Sequence, residues 1–208
     1  CFKYFSQATR HPCYKQIKRH KNFDIFTLLC SGMSQRRIAK KLNLNLKTVA
    51  RKFKFLAGQC AFKNESDLKQ YQMKPFEYCF LDEMEDKIHT KCKPVSIALI
   101  VTKDRKILGH KVSSIMPKNR KLNKICRVKY PTWHDESRKG FYSLLEKIKP
   151  VFAPHITIKS DKKQMYFNAI KNKFPKAKHI QYLSRRAVIP GLGELKEGGW
   201  DPLFPLNH

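Results

Sequence analysis

"FEYCFLDEMED", residues 76–86, joins an apolar run to the densest group of acids in the chain. A short run of Phe, Tyr, Cys and Leu residues is typical of a buried strand. The acids follow at once, beginning with Asp82, although the 208 residues include 44 Lys and Arg against only 16 Asp and Glu. We therefore predict a strand at 76–82 that ends at Asp82 and places one carboxylate at the edge of a sheet.

The composition restricts the partners of the chain. A formal charge of +28 at pH 7 makes a polyanion the expected partner, because a compact chain with this charge repels itself. Nucleic acid is the first candidate, since each neutralised phosphate releases counterions. We expect no membrane partner, because no apolar run approaches the length of a membrane span. Seven cysteines without a CxxC pair predict reduced thiols in the cytoplasm and no structural zinc.

A second acid, Asp161, also follows a predicted strand. The elements predicted after residue 75 are, in order, strands at 76–82, 94–103 and 107–115, a basic insertion at 117–139, a helix near 139–149, a strand at 155–161, a helix at 163–174 and a strand at 177–183. This is the layout of an α/β, RNase H-like domain with a mixed central sheet. Its first and fourth strands are neighbours, so Asp82 and Asp161 would meet although 79 positions separate them.

Paired carboxylates of this kind predict a magnesium or manganese site. Mg²⁺ binds oxygen ligands and needs only one or two carboxylates together with substrate phosphates. Two such ions, about 4 Å apart, can hold the attacking and leaving oxygens of a phosphodiester displacement. We expect Glu83, Glu85 and Asp86 to be solvated, or to offset neighbouring lysines, with Glu83 able to assist a metal.

Residues 23–57 predict three helices with the layout of a helix-turn-helix. The first covers Asp24–Cys30 and ends at Gly32, which suits a left-handed cap, and Ser34 caps the second. The third covers Lys47–Leu56, turns Val49, Phe53 and Leu56 inward, and would enter the major groove. The side chains expected to contact DNA are Arg36, Arg37, Lys47, Thr48, Arg51 and Lys52.

Four segments carry a resemblance to a known family: "CFKYFS" (1–6), "LDEMED" (81–86), "IKSDKKQMY" (158–166) and "GLGELKEGGWDPLFPLNH" (191–208). With them the chain resembles bacterial insertion-sequence transposases of the DDE type over nearly its whole length. The resemblance implies the remnant of a zinc-ribbon-like segment at 1–14, a helix-turn-helix domain at 15–60, a linker at 61–75 and an RNase H-like catalytic domain at 76–208. It also implies that Asp82 and Asp161 are the first two metal-binding acids.

The third acid stays open at this point. Glu194 is our first choice, because it lies 33 residues after Asp161, near the separation common in the family. Its rivals are Glu197, Asp201 and a residue beyond His208, where a final helix would continue. Two interpretations of Arg185 and Arg186, after the last strand, stay open: they hold a phosphate, or they are a solvated pair in a loop.

The expected function is therefore that of a DNA transposase. Two Mg²⁺ or Mn²⁺ ions held by the acids would activate water for strand cleavage and then a 3′-hydroxyl for strand transfer. The partners would be the terminal inverted repeats, target DNA and further copies of the chain, in the bacterial cytoplasm beside the nucleoid. Two alternatives remain open: a DNA-binding regulator whose second domain is an inactive transposase remnant, and an RNase H-like nuclease without strand transfer.

Overall fold

The computed structural model of the chain describes residues 6–189 and 192–207, with the backbone alone at 189, 192–194 and 207. The chain divides into two compact units, Cys1–Lys63 and Asn64–His208. No helix within the described ranges combines the length and the apolar character that a membrane crossing requires.

The first unit contains three helices around a small apolar core. They are α1 (Asn22–Cys30), α2 (Gln35–Lys41) and α3, which begins at Leu46 and ends at Tyr71 in the second unit. The core consists of Ile25, Ile38, Ala39 and Val49.

Local sequence signals account for the ends of these helices. Ser34 caps α2, because its side chain accepts a hydrogen bond of 3.4 Å from the Arg37 N–H. Gly32 adopts the predicted left-handed conformation, with a φ of 73°.

Helix α3 departs from the prediction in two ways. It runs for 26 residues, so the helix predicted to end at Leu56 continues to Tyr71, through most of the segment 58–75 that was predicted as a connector with some helical character. Phe53, predicted to point inward, is 43% exposed, whereas Val49 is fully buried and Leu56 packs against the core. The apolar spacing therefore identified the buried face but overestimated its width.

The second unit is built on a five-stranded mixed sheet, which confirms the α/β class. Its strands are β1 (Phe76–Lys87), β2 (Pro94–Val101), β3 (Ile107–Ser114), β4 (Phe152–Asp161) and β5 (Lys178–Tyr182). The order across the sheet is β3-β2-β1-β4-β5. The β1–β2 and β2–β3 pairs are antiparallel, and the β1–β4 and β4–β5 pairs are parallel. As predicted, the first and fourth strands are neighbours.

Two helices, α5 (Ser137–Ile148) and α6 (Gln164–Lys173), pack against one face of this sheet. Helix α4 (Arg120–Lys129) precedes them and lies within the segment predicted as a basic insertion. Apolar residues of α5 and α6 form the main core with alternate residues of β1 and β4, including Leu81 and Ile158. Gly140 of α5 allows close packing, because a Cβ there would lie 1.9 Å from Ser113 Oγ in β3.

The prediction that β1 ends at Asp82 is wrong. The strand continues to Lys87, but beyond Leu81 it pairs only with β2. Residues 84–87 are exposed, so this half of the strand carries acids and Met84 instead of an apolar run. Asp82 therefore lies inside the strand, at the first position past the parallel ladder with β4.

The C-terminal segment forms a small antiparallel sheet beside the main one. Its strands are β6 (Ala187–Ile189), β7 (Leu192–Lys196) and β8 (Gly199–Trp200), and a short helix, α7 (Phe204–Asn207), follows. Leu203, just before α7, is buried against Phe80 and Val101. This packing places the chain around residue 201 next to β1.

Candidate active site

Asp82 and Asp161 lie next to each other at one edge of the parallel ladder. Leu81 of β1 pairs with Ser160 of β4, so the two acids occupy the following positions of adjacent strands. Neighbouring residues of a strand point to opposite faces. Because Leu81 and Ile158 pack against the helices, both acids point to the face opposite α5 and α6. The predicted meeting of the two acids is thus what the strand register produces.

A cleft of about 280 Å³ collects these acids with others. Asp82, Glu83, Asp161 and Asp201 all line it, and its cationic lining residues are Arg185 and Lys196. Four acids around one small cleft contrast with a chain in which basic residues outnumber acidic ones by 44 to 16.

The environment of Asp82 disfavours its ionised form. Burial is the main cause, and the negative charges of Asp161, Glu83 and Asp201 add to it, so that the pKa of Asp82 rises to about 6. The Glu83 N–H offsets part of this by donating a hydrogen bond of 2.7 Å to Asp82 Oδ1. A bound cation would remove the repulsion between these carboxylates.

One carboxylate oxygen of Asp161 is buried beside the cleft. Burial and the charge of Glu83 raise the pKa of Asp161, while the side chain and the backbone N–H of Lys163 lower it. Asp161 Oδ1 accepts no hydrogen bond from any residue that the structure describes. A buried oxygen of this kind costs free energy unless a donor or a cation satisfies it. The pair Asp82–Asp161 therefore fits a hard divalent cation.

The metal site that these two acids could form is an open one, with few ligands from the protein. Among the described residues, no group of three or more His, Cys, Asp or Glu side chains is arranged to enclose a metal ion. Mg²⁺ does not require such a cage, because it commonly binds one or two carboxylates and completes its shell with water and substrate phosphate. Asp82 and Asp161 are the residues that would hold it here.

Of the two predictions made for Glu83, the structure supports the one in which it offsets a lysine and not the one in which it is solvated. Its side chain is only 6% exposed and forms an ion pair of 2.7 Å with Lys163 Nζ. Ser96 Oγ donates a second hydrogen bond, of 2.5 Å, to the same Glu83 oxygen. Glu85 does offset a lysine as predicted, since it lies 2.8 Å from Lys118 Nζ.

Tyr166 of α6 completes the group around Glu83. Its side chain is fully buried, and within the described ranges no group forms a well-aligned hydrogen bond with its hydroxyl. Burial and the nearby carboxylates, Glu83 first among them, raise the pKa of Tyr166. Lys163 and Tyr166 were not predicted as site residues, although their positions just after Asp161, at the strand-to-helix turn and in the first turn of α6, were a usable signal.

The three candidates for the third acid differ in what surrounds them. Glu194 falls within β7, but its side chain lies outside the described part of the chain. Glu197 is exposed and is not part of the cleft wall. Asp201 lines the cleft with a side chain that is only 7% exposed, 3.7 Å from Lys196 Nζ. The Leu203 N–H donates to Asp201 Oδ1 at 3.0 Å.

The two arginines after β5 occupy different places. Arg185 lines the cleft, and its guanidinium donates to the carbonyls of Glu197 and Gly198 at 3.4 and 3.3 Å. Arg186 is exposed and is not among the lining residues. Arg185 is thus the one of the pair that lies next to the carboxylates.

The residues predicted to contact DNA are mostly exposed. Arg36 and Arg37 lie exposed in the first turn of α2, Lys47 and Arg51 are exposed on α3, and Thr48 is half-buried. The prediction that Lys52 points outward is wrong. Its side chain is buried, and its ammonium donates to Asn22 Oδ1 at 2.5 Å and to Gln16 Oε1 at 3.5 Å.

Comparison with models of known protein families finds no match for this chain, and comparison with curated proteins finds no significant relative.

Proposed function

We propose that the chain is a DNA transposase of the DDE type, with an RNase H-like catalytic domain and a helix-turn-helix that binds the element ends. The observation that carries the proposal is the meeting of Asp82 and Asp161 in one cleft, from strands 79 positions apart. The sheet order β3-β2-β1-β4-β5 supports the RNase H-like assignment.

The chemistry would be metal-dependent cleavage and transfer of DNA strands. When bound, Mg²⁺ or Mn²⁺ ions would activate a water or the 3′-hydroxyl of a DNA strand, and they would neutralise the charge that develops on the phosphate. Asp82 and Asp161 would hold these ions, and Arg185 would orient the DNA backbone beside them. Positioning of the strand then contributes to the rate, because the reacting groups are held together.

Asp201 is our proposal for the third acid. Support comes from its nearly buried carboxylate in the same cleft and from its effect on the pKa of Asp82. We expect Asp201→Asn to lower cleavage as strongly as Asp82→Asn, and Glu194→Gln to lower it less. The reverse order of losses in a cleavage assay would return the role to Glu194.

A nicking assay tests the proposed activity. The substrate is a supercoiled plasmid carrying the DNA that flanks the gene for this chain, incubated with Mg²⁺ or with EDTA. We expect Mg²⁺-dependent nicks from the wild type and none from Asp82→Asn, with duplex binding retained in both. Cleavage by Asp82→Asn at the wild-type rate would refute the catalytic proposal.

The products of that assay separate the remaining functions. Joined molecules, in which a flanking end is attached to target DNA, indicate strand transfer, and nicks alone indicate a nuclease. The exposed cations of α2 and α3 favour a DNA-binding regulator as the second candidate, because they do not depend on the carboxylates. Binding without any metal-dependent cleavage would select it. We expect the active complex to contain more than one copy of the chain, acting on DNA in the bacterial cytoplasm.

A further inference from the structure

A second cavity, of about 410 Å³, lies within the first unit, and half of its lining residues are cations. It is bounded by residues 15–18 on one side and by α3 on the other. Lys15, Lys18, Arg51 and Lys52 all contribute to its wall, and among the described residues no acid does. Four positive charges around one cavity favour an anionic ligand.

The buried Lys52 strengthens this argument. A buried ammonium is normally paired with a carboxylate. The polar partners of Lys52 are the neutral amides of Asn22 and Gln16. Between residues 1 and 63 the sequence has a single acid, Asp24, and that acid lies 3.5 Å from Lys21. Burial lowers the pKa of Lys52, and the nearby Cys13 offsets part of this effect.

The backbone of the opposite wall is held in an unusual conformation. Lys15 and Lys18 have φ values of 59° and 55°, in the left-handed region that non-glycine residues rarely adopt. Such residues cluster at sites that hold ligands, where the surrounding structure maintains them. Here the two left-handed turns bring both lysines to the same cavity as Arg51.

We propose that this cavity binds a phosphate group of the DNA backbone. Arg51 and Thr48 belong both to the cavity and to the face of α3 predicted to meet DNA, so the cavity continues that face. Lys15, Lys18 and Arg51 are exposed, which leaves the cavity accessible to a phosphate that belongs to a long duplex. The guanidinium of Arg51 can bind a phosphate through two hydrogen bonds. This inference deepens the proposed function and rests on its DNA-binding part.

Salt-dependent binding of duplex DNA tests the proposal. The full chain is titrated into a fluorescent 20-base-pair duplex of arbitrary sequence, in EDTA, at several salt concentrations. Each lost phosphate contact lowers the slope of log K against log salt by about 0.9. We expect Lys15→Gln/Lys18→Gln to reduce the slope by about two contacts and Lys15→Arg/Lys18→Arg to keep it.

The control removes the same charge elsewhere. Lys171 and Lys176 lie at the end of α6 remote from the carboxylate cleft, and both are exposed. We expect Lys171→Gln/Lys176→Gln to leave the slope unchanged. An unchanged slope in Lys15→Gln/Lys18→Gln, or an equal loss in the control, would overturn the proposal. Thermal melting of each variant shows that the fold is retained.

A second arm separates backbone phosphate from a free anion. Calorimetric titration of the wild type with inorganic phosphate is expected to give no binding at millimolar concentration. Saturable binding at micromolar phosphate would overturn the assignment to DNA and make the cavity a small-anion site. A wild type that binds no duplex at any salt concentration would contradict the DNA binding of the proposed function itself. Normal binding with an unaltered slope in the double variant contradicts only the cavity.

Discussion

The carboxyl group of Asp82 costs folding free energy whenever it is ionised without a cation. Its pKa in the folded chain is about 6, above the ordinary value of 3.8. A raised carboxyl pKa contributes stability that is fully present below pH 3.8 and is lost as the pH rises through about 6. At neutral pH the wild type therefore retains the repulsion that an amide at this position would remove.

We predict that Asp82→Asn stabilises the metal-free chain at pH 7.5 by about 0.5–2 kcal/mol. The difference should shrink towards zero at pH 4, where the wild-type carboxyl is protonated as well. Urea unfolding in EDTA at the two pH values measures both free energies. A variant that is less stable than the wild type at pH 7.5 would contradict this account of the cleft.

Added Mg²⁺ should make the wild type more stable than Asp82→Asn. A ligand that binds only the folded state stabilises it by about 2.7 kcal/mol at a hundred times its Kd. We therefore expect added Mg²⁺ to raise the unfolding free energy of the wild type but not that of Asp82→Asn. Equal stabilisation of the two proteins would place the cation elsewhere.

The ion pair of Lys163 with Glu83 gives a second prediction at the residue scale. In Lys163→Met the nearly buried Glu83 carboxylate keeps the Ser96 hydroxyl but loses its cation. We expect a loss of about 1–3 kcal/mol in unfolding free energy, the usual cost of an unsatisfied buried polar group. The control, Glu83→Gln/Lys163→Met, should lose less, because no charge is left behind. A double variant as unstable as the single one would show that the pair has no such role.

Among the elements, α3 offers a matched pair of glycine substitutions. Gly58 lies within the helix, and a Cβ there would meet nothing within 4 Å. Gly58→Ala should therefore stabilise the chain by about 0.5–1 kcal/mol. Gly32 has equal space but a φ of +73°, so Gly32→Ala should cost about 1–2 kcal/mol. Thermal unfolding compares the two variants, and effects of the same sign would contradict the assigned backbone conformations.

The elements also show how far the sequence could predict the fold. Apolar runs and turn residues placed all five strands of the main sheet, because four of them bury apolar side chains and β5 carries half-buried ones. The half of β1 after Asp82 was not predicted, because it pairs with β2 and is exposed. An exposed strand does not need the apolar residues by which the other strands were recognised. The length of α3 was missed because its second half lacks the apolar spacing that marked its start.

The site was predictable only where strand ends determined it. Asp82 and Asp161 could be paired because each follows an apolar run and the two runs were predicted to be neighbours; in the structure the shared feature is the end of the β1–β4 ladder and not the end of β1. The contact of Glu83 with Lys163 spans 80 positions and depends on how the turn after β4 directs one side chain. The place of Asp201 depends on a reversal of the chain at Gly198 and Gly199, both of which have positive φ. The sequence before this reversal does not indicate that Asp201 will reach the cleft.

At the scale of the whole molecule, the net charge is positive, whereas the acids that line the cleft are negative. A net charge of +28 attracts a polyanion over long distances, whereas the four acids of the cleft repel a phosphate that comes close. Under the proposed function, a divalent cation between the carboxylates and the phosphate would resolve this conflict. DNA would then bind without metal, whereas cleavage would require it.

The central claim is that Asp82 and Asp161 act together at one metal-dependent cleavage site. The most direct measurement is the Mg²⁺-dependent nicking rate of Asp82→Asn, Asp161→Asn and the double variant on the same plasmid. Residues that act as a unit are strongly non-additive. We predict that each single variant loses on the order of a thousandfold or more and that the double variant loses no more. Wild-type rates in either single variant, or losses that multiply in the double variant, would contradict the claim.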